Sequence, residues 1–330
     1  MSTGGSIPYH LRQHKAVERN LFIELLRKLN NYVNISDYVY IGFGGPFLED
    51  FKQLHNALKI NNMISLEVDA NVHKRQKFNK PISCIDLGEE PLSSSEFITQ
   101  SDFAAPSLIW LDYAIPSQIY EQMNDIAQLV SKLKPKDIFK ITLNATPETL
   151  GRDFQERDPR RFRLKKIQSL LTQDYCPVNL TVDDVTFKRY PHLLIKAAQR
   201  AISIGLTGRL DIMIHPLCNF IYKDGQQMLT FTAIVLENSD MQLDSFLQNS
   251  RINFWPFYSG DWGTVKNISV PTMSLRERIF IEERLPTKDH EEITNDLGFY
   301  IGDDEAEANS NLKNFIEYYK VIPWYSKVLL

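Results

Sequence analysis

The amino-acid sequence predicts an α/β protein built on a mostly parallel sheet of seven strands. Five short apolar runs rich in β-branched and aromatic residues alternate with helical patterns over short connections, and this alternation is typical of βαβ units. An Asp-Gly turn at residues 224–225 separates two further apolar runs and indicates an antiparallel hairpin. Parallel strands joined by right-handed crossovers place helices on both faces of such a sheet.

The elements follow in order along the chain. Leu21, Leu25 and Leu29 recur every four residues and predict a helix over residues 15–32, with Arg19 elsewhere on the helical wheel. Strands are expected at residues 38–41, 63–68, 81–86, 107–112, 137–143, 210–222 and 228–236. We expect residues 1–240 to form the main domain, with a helical insertion at 147–207. Residues 241–330 are expected to form a C-terminal extension packed on it.

The composition is that of a folded globular protein. The 330 residues are 43% hydrophobic and 24% charged, with a formal net charge of -4, which excludes wholesale disorder, collagen-like repeats and a disulfide scaffold. Cys84, Cys176 and Cys218 are odd in number and scattered, so a reducing compartment is favoured. Residues 1–8 contain no apolar signal core and no run approaches 18 apolar residues. We therefore expect a cytoplasmic protein without membrane contact.

The strand-turn-helix pattern over residues 38–58 is the strongest local signal. Its turn contains Gly42, Phe43, Gly44 and Gly45. Glycines at the carboxyl end of a strand let a ligand approach bare backbone, and the following helix offers free N–H groups. A tight turn that needs small residues explains the motif equally well when it is taken alone.

Acidic residues end the next three predicted strands. Glu67 lies 25 residues after the first glycine of the turn, where nucleoside-binding α/β proteins hold ribose hydroxyls. Asp86 can meet the exocyclic amine of adenine, and Asp112 lies at the rim where reacting groups converge. Each acid taken singly could be a solvated loop residue or a helix cap. Four such strand ends on one edge predict a nucleoside-type ligand, and we include Val68 and Leu87 in its predicted site.

These features resemble the S-adenosylmethionine-dependent (class I, Rossmann-like) methyltransferases, over about residues 15–240. Shorter stretches are similar to a bacterial group usually described as putative O-methyltransferases of uncharacterised or defence-associated, antiviral genes. These stretches are residues 40–46, 75–79, 110–113, 140–144 and 275–278. The resemblance implies S-adenosylmethionine as the cofactor, with the glycine turn facing its methionine part, Glu67 its ribose and Asp86 its adenine.

The sequence also departs from that family. Tyr40 stands where the usual first motif has an acid, and the third glycine of that motif is displaced. The motif that follows the fourth strand in many amino-methylating enzymes is absent, and Asp112-Tyr-Ala-Ile-Pro116 takes its place. The absent motif favours an oxygen over a nitrogen acceptor. The departures together leave open a binding domain that has lost transfer activity.

An oxygen nucleophile needs a group that removes its proton. Asp112 is the best-placed candidate for removing it, and Asn144 and Lys140 near the same rim could orient a substrate. Asn144 could instead cap the next turn, and Lys140 is expected to extend its charged end from a sheet face to water. A metal ion is not expected, because only Asp112 and Asn144 offer oxygen ligands there and the histidines show no zinc spacing.

The segment 152–166 contains seven basic residues against three acids. Arg160, Arg161 and Arg163 are therefore candidate contacts for a substrate or a phosphate group of a nucleic acid. A solvated helix face with internal ion pairs is the alternative. Residues 282–307 hold ten acids against two bases, so the two segments have opposite charge. A protein partner could bind through this basic insertion or through the C-terminal extension.

Three functions remain open from the sequence. The first is methyl transfer from S-adenosylmethionine to an oxygen of a small molecule or a nucleic acid. The second is an inactive methyltransferase-like subunit or ligand sensor in a bacterial assembly, for which an anti-phage role is one option. The third is an NAD(P)-dependent oxidoreductase, against which the antiparallel hairpin and the incomplete glycine motif both count.

Overall fold

Eight strands form one sheet in the computed structural model, which describes residues 12–324. Their order across the sheet is β3-β2-β1-β4-β5-β7-β6-β8. The strands are β1 Val39–Phe43, β2 Asn62–Leu66, β3 Ile85–Asp86, β4 Ser107–Asp112, β5 Ile138–Asn144, β6 Ile212–Asp224, β7 Gln226–Glu237 and β8 Lys266–Ile268. Residues 1–8, in which the sequence shows no signal core, lie outside the described residues.

The predicted fold class is confirmed. Strands β1 to β5 are parallel, β7 is antiparallel to β5, and β6 and β7 form the closing hairpin. The sheet has one strand more than the seven expected, because β8 pairs in parallel with β6. This strand comes from the C-terminal extension and was missed because its three residues, Lys266–Ile268, show no apolar alternation.

Eleven helices are described around this sheet. They are α1 Gln13–Leu29, α2 Glu49–Leu58, α3 Ala70–Asn79, α4 Ser94–Gln100, α5 Ile119–Lys132, α6 Pro159–Tyr175, α7 Tyr190–Gly205, α8 Asp240–Ser250, α9 Leu275–Glu282, α10 His290–Leu297 and α11 Glu305–Tyr318. None of the helices within residues 12–324 is long and apolar enough to span a bilayer.

Each face of the sheet has its own apolar core, because successive side chains of a strand point to opposite faces. On one face, Tyr40 and Trp110 pack with α1, α2 and buried aromatic residues of the C-terminal extension such as Phe246 and Phe315. On the other face, Ile41 and the neighbouring strand residues pack with α4 to α7. The extension therefore covers the same face of the sheet as α1.

The insertion between β5 and β6 has two parts. Helix α7 is buried against α5, and a Cβ on Gly205 would lie only 2.4 Å from the backbone oxygen of Ala127. This close approach makes α7 an integral part of the helical layer. Helix α6 is more exposed and bends at Thr172, whose φ is 54°. It lies on α5 and on the short 3₁₀ turn Pro147–Leu150 that follows β5.

Candidate functional site at the carboxyl edge of the sheet

Three of the predicted site residues lie at one level of neighbouring strands. Phe43 of β1 pairs with Leu66 of β2, so Gly44 and Glu67 follow side by side. Gly42 pairs with Trp110 of β4, which puts Asp112 at the level of Gly44 as well. Asp86 pairs with Ile64 and therefore lies three residues lower on the outer side. The carboxyl ends of parallel strands thus bring the glycine turn, Glu67 and Asp112 to one rim, with Asp86 on the outer side below them.

The glycines of the turn are required by the protein's own packing. A Cβ on Gly42 would lie 2.7 Å from the hydroxyl of Tyr40, and one on Gly44 would lie 2.2 Å from Cδ2 of Leu48. Gly45 has a φ of 51°, which favours glycine. Phe43 is half-buried and its ring lies 5.9 Å from that of Tyr113. Close packing therefore accounts for two of the glycines without a ligand, as the alternative interpretation of the motif proposed.

Tyr40 fills the position of the missing acid with apolar packing. Its side chain is buried, and its ring lies 4.7 Å from that of Phe51 in an edge-to-face arrangement. A carboxylate in this position would lie in the apolar core between β1 and α2. The departure from the family pattern is thus compensated structurally by an aromatic pair.

Glu67 is half-buried at the tip of β2, next to an exposed apolar side chain. Its Oε1 accepts a hydrogen bond from the backbone N–H of Asp69 at 2.8 Å. Burial raises the pKa of Glu67, and hydrogen bonds from the backbone amides of Asp69 and Val68 oppose that shift. Val68 is 73% exposed. A carboxylate beside bare apolar surface is an arrangement that suits the ribose and base of a nucleoside.

Asp86 is the last residue of β3, and Leu87 follows it. Asp86 is exposed, and its Oδ1 accepts a hydrogen bond from the N–H of Gly88 at 2.9 Å. Leu87 is buried, and its carbonyl oxygen lies 2.7 Å from Nε2 of His73. The carboxylate of Asp86 therefore faces outward at the rim, while Leu87 belongs to the core.

Asp112 belongs to a buried charge cluster that the sequence analysis did not predict. The cluster consists of Glu18 and Arg19 of α1, Asp50 of α2, Asp112 of β4 and Lys140 of β5. Arg19 was expected away from the apolar side of its helix, but it is only 3% exposed. The prediction was wrong because it used only the spacing of the apolar residues along the helix. A buried arginine on the apolar side of the helix leaves that spacing unchanged.

Arg19 connects three carboxylates. Its guanidinium nitrogens lie 3.0 Å from Glu18, 3.3 Å from Asp50 and 3.4 Å from Asp112. Its Nη1 also donates to the hydroxyl of Tyr222 at 3.2 Å. Burial by itself lowers the pKa of Arg19, but the surrounding negative groups raise it well above its ordinary value. The guanidinium therefore stays charged and holds Asp112, whose side chain is 20% exposed, at the rim.

Lys140 does not reach water, which corrects the expectation for this residue. Its side chain is 0% exposed, and its Nζ lies 2.6 Å from Oε1 of Glu18. The same nitrogen lies 3.6 Å from the ring centre of Trp110 and 4.0 Å from that of Phe22. Burial lowers the pKa of Lys140 to about 8, and the carboxylate of Glu18 opposes the shift. Because β5 is covered on both faces, no path to solvent exists for this side chain.

Asn144 is buried at the end of β5 and is occupied with local hydrogen bonds. Its Oδ1 accepts from the N–H of Thr146 at 3.0 Å, and its amide donates to Oε1 of Gln226 at the start of the neighbouring strand β7. Of the two roles left open for Asn144, these contacts favour the turn cap. Asp112 is thus the predicted catalytic residue whose side chain reaches the surface.

Two of the three candidate arginines of the insertion are paired with acids. Arg160 contacts Asp158 at 2.8 Å and Asp183 at 3.1 Å, and Arg163 contacts Glu148 at 3.0 Å. Arg161 is exposed. The ion pairs match the solvated-helix alternative for Arg160 and Arg163, and they leave Arg161 available to a ligand.

No group of three or more potential metal ligands occurs among the side chains of residues 12–324. Asp112 has the cation Arg19 as its neighbour, with Nη2 of Arg19 at 3.4 Å from its Oδ2.

A family model described as Putative O-methyltransferase matches residues 7–330. A search of curated proteins found no match. Among solved structures, the chain is similar to Trm1 from Pyrococcus horikoshii in complex with S-adenosyl-L-methionine, at 11% identity and a TM-score of 0.44. That match covers 70% of this chain and 57% of Trm1, so the chain spans little more than half of that protein.

Two further solved structures show similarity at the same level. The O-methyltransferase TomG from Streptomyces achromogenes, in complex with SAM, is 10% identical with a TM-score of 0.34, over 71% of this chain and 93% of TomG. A structure described as a putative O-methyltransferase from Klebsiella pneumoniae is 11% identical with a TM-score of 0.34, over 70% and 91% of the two chains. At these values the similarities carry no inference about activity.

Proposed function

This chain belongs to the Putative O-methyltransferase family, and from that premise we propose that it transfers a methyl group from S-adenosylmethionine to an oxygen nucleophile. The observation that carries the proposal is the rim at which Gly44, Glu67 and Asp112 lie at one level of adjacent strands. A cofactor bound there would have its nucleoside at β2 and β3 and its reacting end toward β4.

The side chains at the rim fit such a cofactor. Glu67 offers carboxylate oxygens to ribose hydroxyls, and the outward-facing Asp86 can accept a hydrogen bond from an amine. The exposed side chain of Val68 provides the apolar surface that an adenine ring would cover. Gly45, half-exposed and without a side chain, leaves backbone accessible for the methionine part.

Asp112 is proposed to accept the proton of the acceptor hydroxyl. S-adenosylmethionine supplies an electrophilic methyl group when it is bound. Displacement needs the nucleophile in line with that methyl group, and alignment contributes most of the rate. Arg19 holds one carboxylate oxygen of Asp112 at 3.4 Å, and among the described residues no hydrogen bond is made to the other oxygen, Oδ1. That oxygen is free to face an acceptor hydroxyl.

A binding domain without transfer activity is the second candidate, and the aromatic residue at position 40 favours it. An NAD(P)-dependent oxidoreductase is disfavoured by the antiparallel β7 at the end of the sheet. Isothermal titration calorimetry with S-adenosylmethionine, S-adenosylhomocysteine and NAD separates a protein that binds the methyl donor from an oxidoreductase. We expect binding of the first two and none of NAD. Binding of NAD alone would refute the proposal, and binding of none would favour a protein-binding subunit.

The family resemblance further suggests a bacterial, cytoplasmic protein with a role in antiviral defence, and we keep these as proposals. The thiols of Cys84, Cys176 and Cys218 are all free in the structure, which supports a reducing compartment. A protein partner is proposed to bind through the basic insertion or the C-terminal extension. A pull-down that compares the full chain with one carrying charge-neutralised residues of α6 would test the first of these surfaces.

A further inference from the structure

The insertion carries exposed cations that its ion pairs do not neutralise. Five basic side chains within residues 152–166 are exposed, and among the described residues none of these five has an acidic side chain within ion-pair distance. They are Arg152, Arg157, Arg161, Lys165 and Lys166, which we call the basic insertion surface. Arg161 and Lys165 are four residues apart on α6 and therefore lie on one side of the helix. These positive charges remain after Arg160 and Arg163 are paired.

The same insertion carries two exposed phenylalanines. Phe154 is 82% exposed, and the guanidinium carbon of Arg152 lies 4.2 Å from its ring centre. Phe187 is 52% exposed and is followed by the exposed Lys188 and Arg189. Solvated ion-pair faces do not need exposed aromatic rings. Cations that alternate with exposed rings are the arrangement that binds the phosphates and stacks the bases of a single strand.

The surface adjoins the rim of the sheet. The side-chain amide of Gln227 donates to the carbonyl of Ala145, the residue after β5, at 2.8 Å, and to that of Phe187 at 2.9 Å. The turn Pro147–Leu150 packs on the turn Pro116–Gln118, which follows Asp112 along the chain. Because α6 also packs on the turn Pro147–Leu150, a strand bound along the basic insertion surface would extend toward the turn that follows Asp112.

We propose that this surface binds single-stranded RNA and that the acceptor oxygen is a ribose 2′-hydroxyl. The inference rests on the proposed function, because an oxygen acceptor on a sugar-phosphate strand is the hydroxyl that RNA has and DNA lacks. In the reaction, the 2′-oxygen bonds to the methyl carbon while the carbon–sulfur bond breaks. The bonding pair goes to sulfur, and the hydroxyl proton goes to the carboxylate of Asp112.

Fluorescence anisotropy with a labelled 20-nucleotide RNA of mixed sequence tests the surface. The change is Arg161→Gln with Lys165→Gln, and the matched control is Arg27→Gln with Lys313→Gln, which removes two exposed cations from α1 and α11. Loss of two phosphate contacts should reduce the slope of log affinity against log salt by about 1.4, or about 25-fold in affinity at 0.1 M salt. The control should bind as the wild type does.

Two further arms make the assignment specific. Phe154→Ala should weaken binding about tenfold without changing the salt slope, because it removes stacking and no charge. DNA of the same sequence should bind about tenfold more weakly, since it lacks the hydroxyl that would donate to Asp112. Equal affinity for the two strands, an unchanged salt slope in the double variant, or no RNA binding up to about 100 µM protein would each overturn the proposal.

Calorimetry with S-adenosylhomocysteine on the same preparations reports on the proposed function separately. Ligand binding without RNA binding refutes only the RNA surface. RNA binding without ligand binding supports that surface and refutes methyl transfer.

Discussion

Replacing Arg19 by methionine should destabilise the protein strongly, because it removes the cation that three carboxylates share. Glu18, Asp50 and Asp112 lie within 3.0 to 3.4 Å of the guanidinium. Methionine keeps the apolar stem of the side chain but not the guanidinium, which also lies 4.5 Å from the ring centre of Trp110. What changes is the charge, since the cluster then holds three carboxylates and a single cation, Lys140.

The magnitude follows from these distances. At an effective dielectric constant of about 20, each contact at 3.3 Å is worth about 5 kcal/mol of gross attraction. Taking the charges out of water offsets most of that sum, by several kcal/mol for each ion. Removal of one partner from a buried network leaves the remaining charges uncompensated and costs about 3–5 kcal/mol of unfolding free energy.

Urea denaturation followed by circular dichroism measures this loss. With a slope of about 3 kcal/mol per molar urea, the midpoint should fall by about 1 to 1.7 M. Arg27→Met on the exposed side of the same helix is the matched control, and its change should stay within about 0.5 kcal/mol. A loss below about 1 kcal/mol for Arg19→Met, or an equal loss in the control, would refute the reasoning. Arg19→Lys should recover only part of the stability, because it keeps the charge without the planar fork.

Three other expectations follow from the structure. Glu18→Gln should lower the pKa of Lys140 from about 8, because the carboxylate of Glu18 raises that pKa. NMR of ¹³Cε-labelled lysine measures the titration, and an unchanged pKa would contradict the ion pair between Glu18 and Lys140. Burial lowers the pKa of His215 to about 4, so the unfolded chain binds the extra proton between pH 6.5 and 4. Wild type should therefore lose about 3 kcal/mol more stability over this range than His215→Gln, and parallel stability curves would disprove it. Gly44→Ala should lower the free energy of unfolding by about 1–3 kcal/mol, because its Cβ would lie 2.2 Å from Cδ2 of Leu48. Gly263→Ala, whose Cβ would lie 3.4 Å from its nearest neighbour, should be near neutral. Equal melting temperatures for the two variants would show that the turn is not tightly packed.

Local sequence pattern predicted the sheet because each strand and helix has its own periodicity. The parallel strands, the crossover helices and the Asp-Gly hairpin all depend on residues that are close in the chain. Strand β8 depends instead on pairing between Lys266–Ile268 and a distant strand. Three residues without alternation contain no local signal for such a pairing.

The rim was predictable for a similar reason, whereas the charge cluster was not. Glu67 and Asp112 follow strands, and the rules for parallel sheets put strand ends at one edge. Arg19 and Lys140 come together only when α1 packs on β5, 121 positions away in the sequence. A usable signal was present in Lys140. It stands between Phe139 and Ile141 in a central strand, where a lysine has no route to water and must have a buried partner.

The central claim, that the rim at β1 and β2 binds S-adenosylmethionine, is tested most directly by calorimetry on Glu67→Gln. A carboxylate that accepts two ribose hydroxyls should contribute about 1.5–3 kcal/mol, so the affinity for S-adenosylmethionine should fall about 10- to 100-fold. Glu90→Gln, which removes an exposed acid near the same rim, should leave the affinity unchanged. Equal affinities of Glu67→Gln and wild type would contradict the assignment of the site.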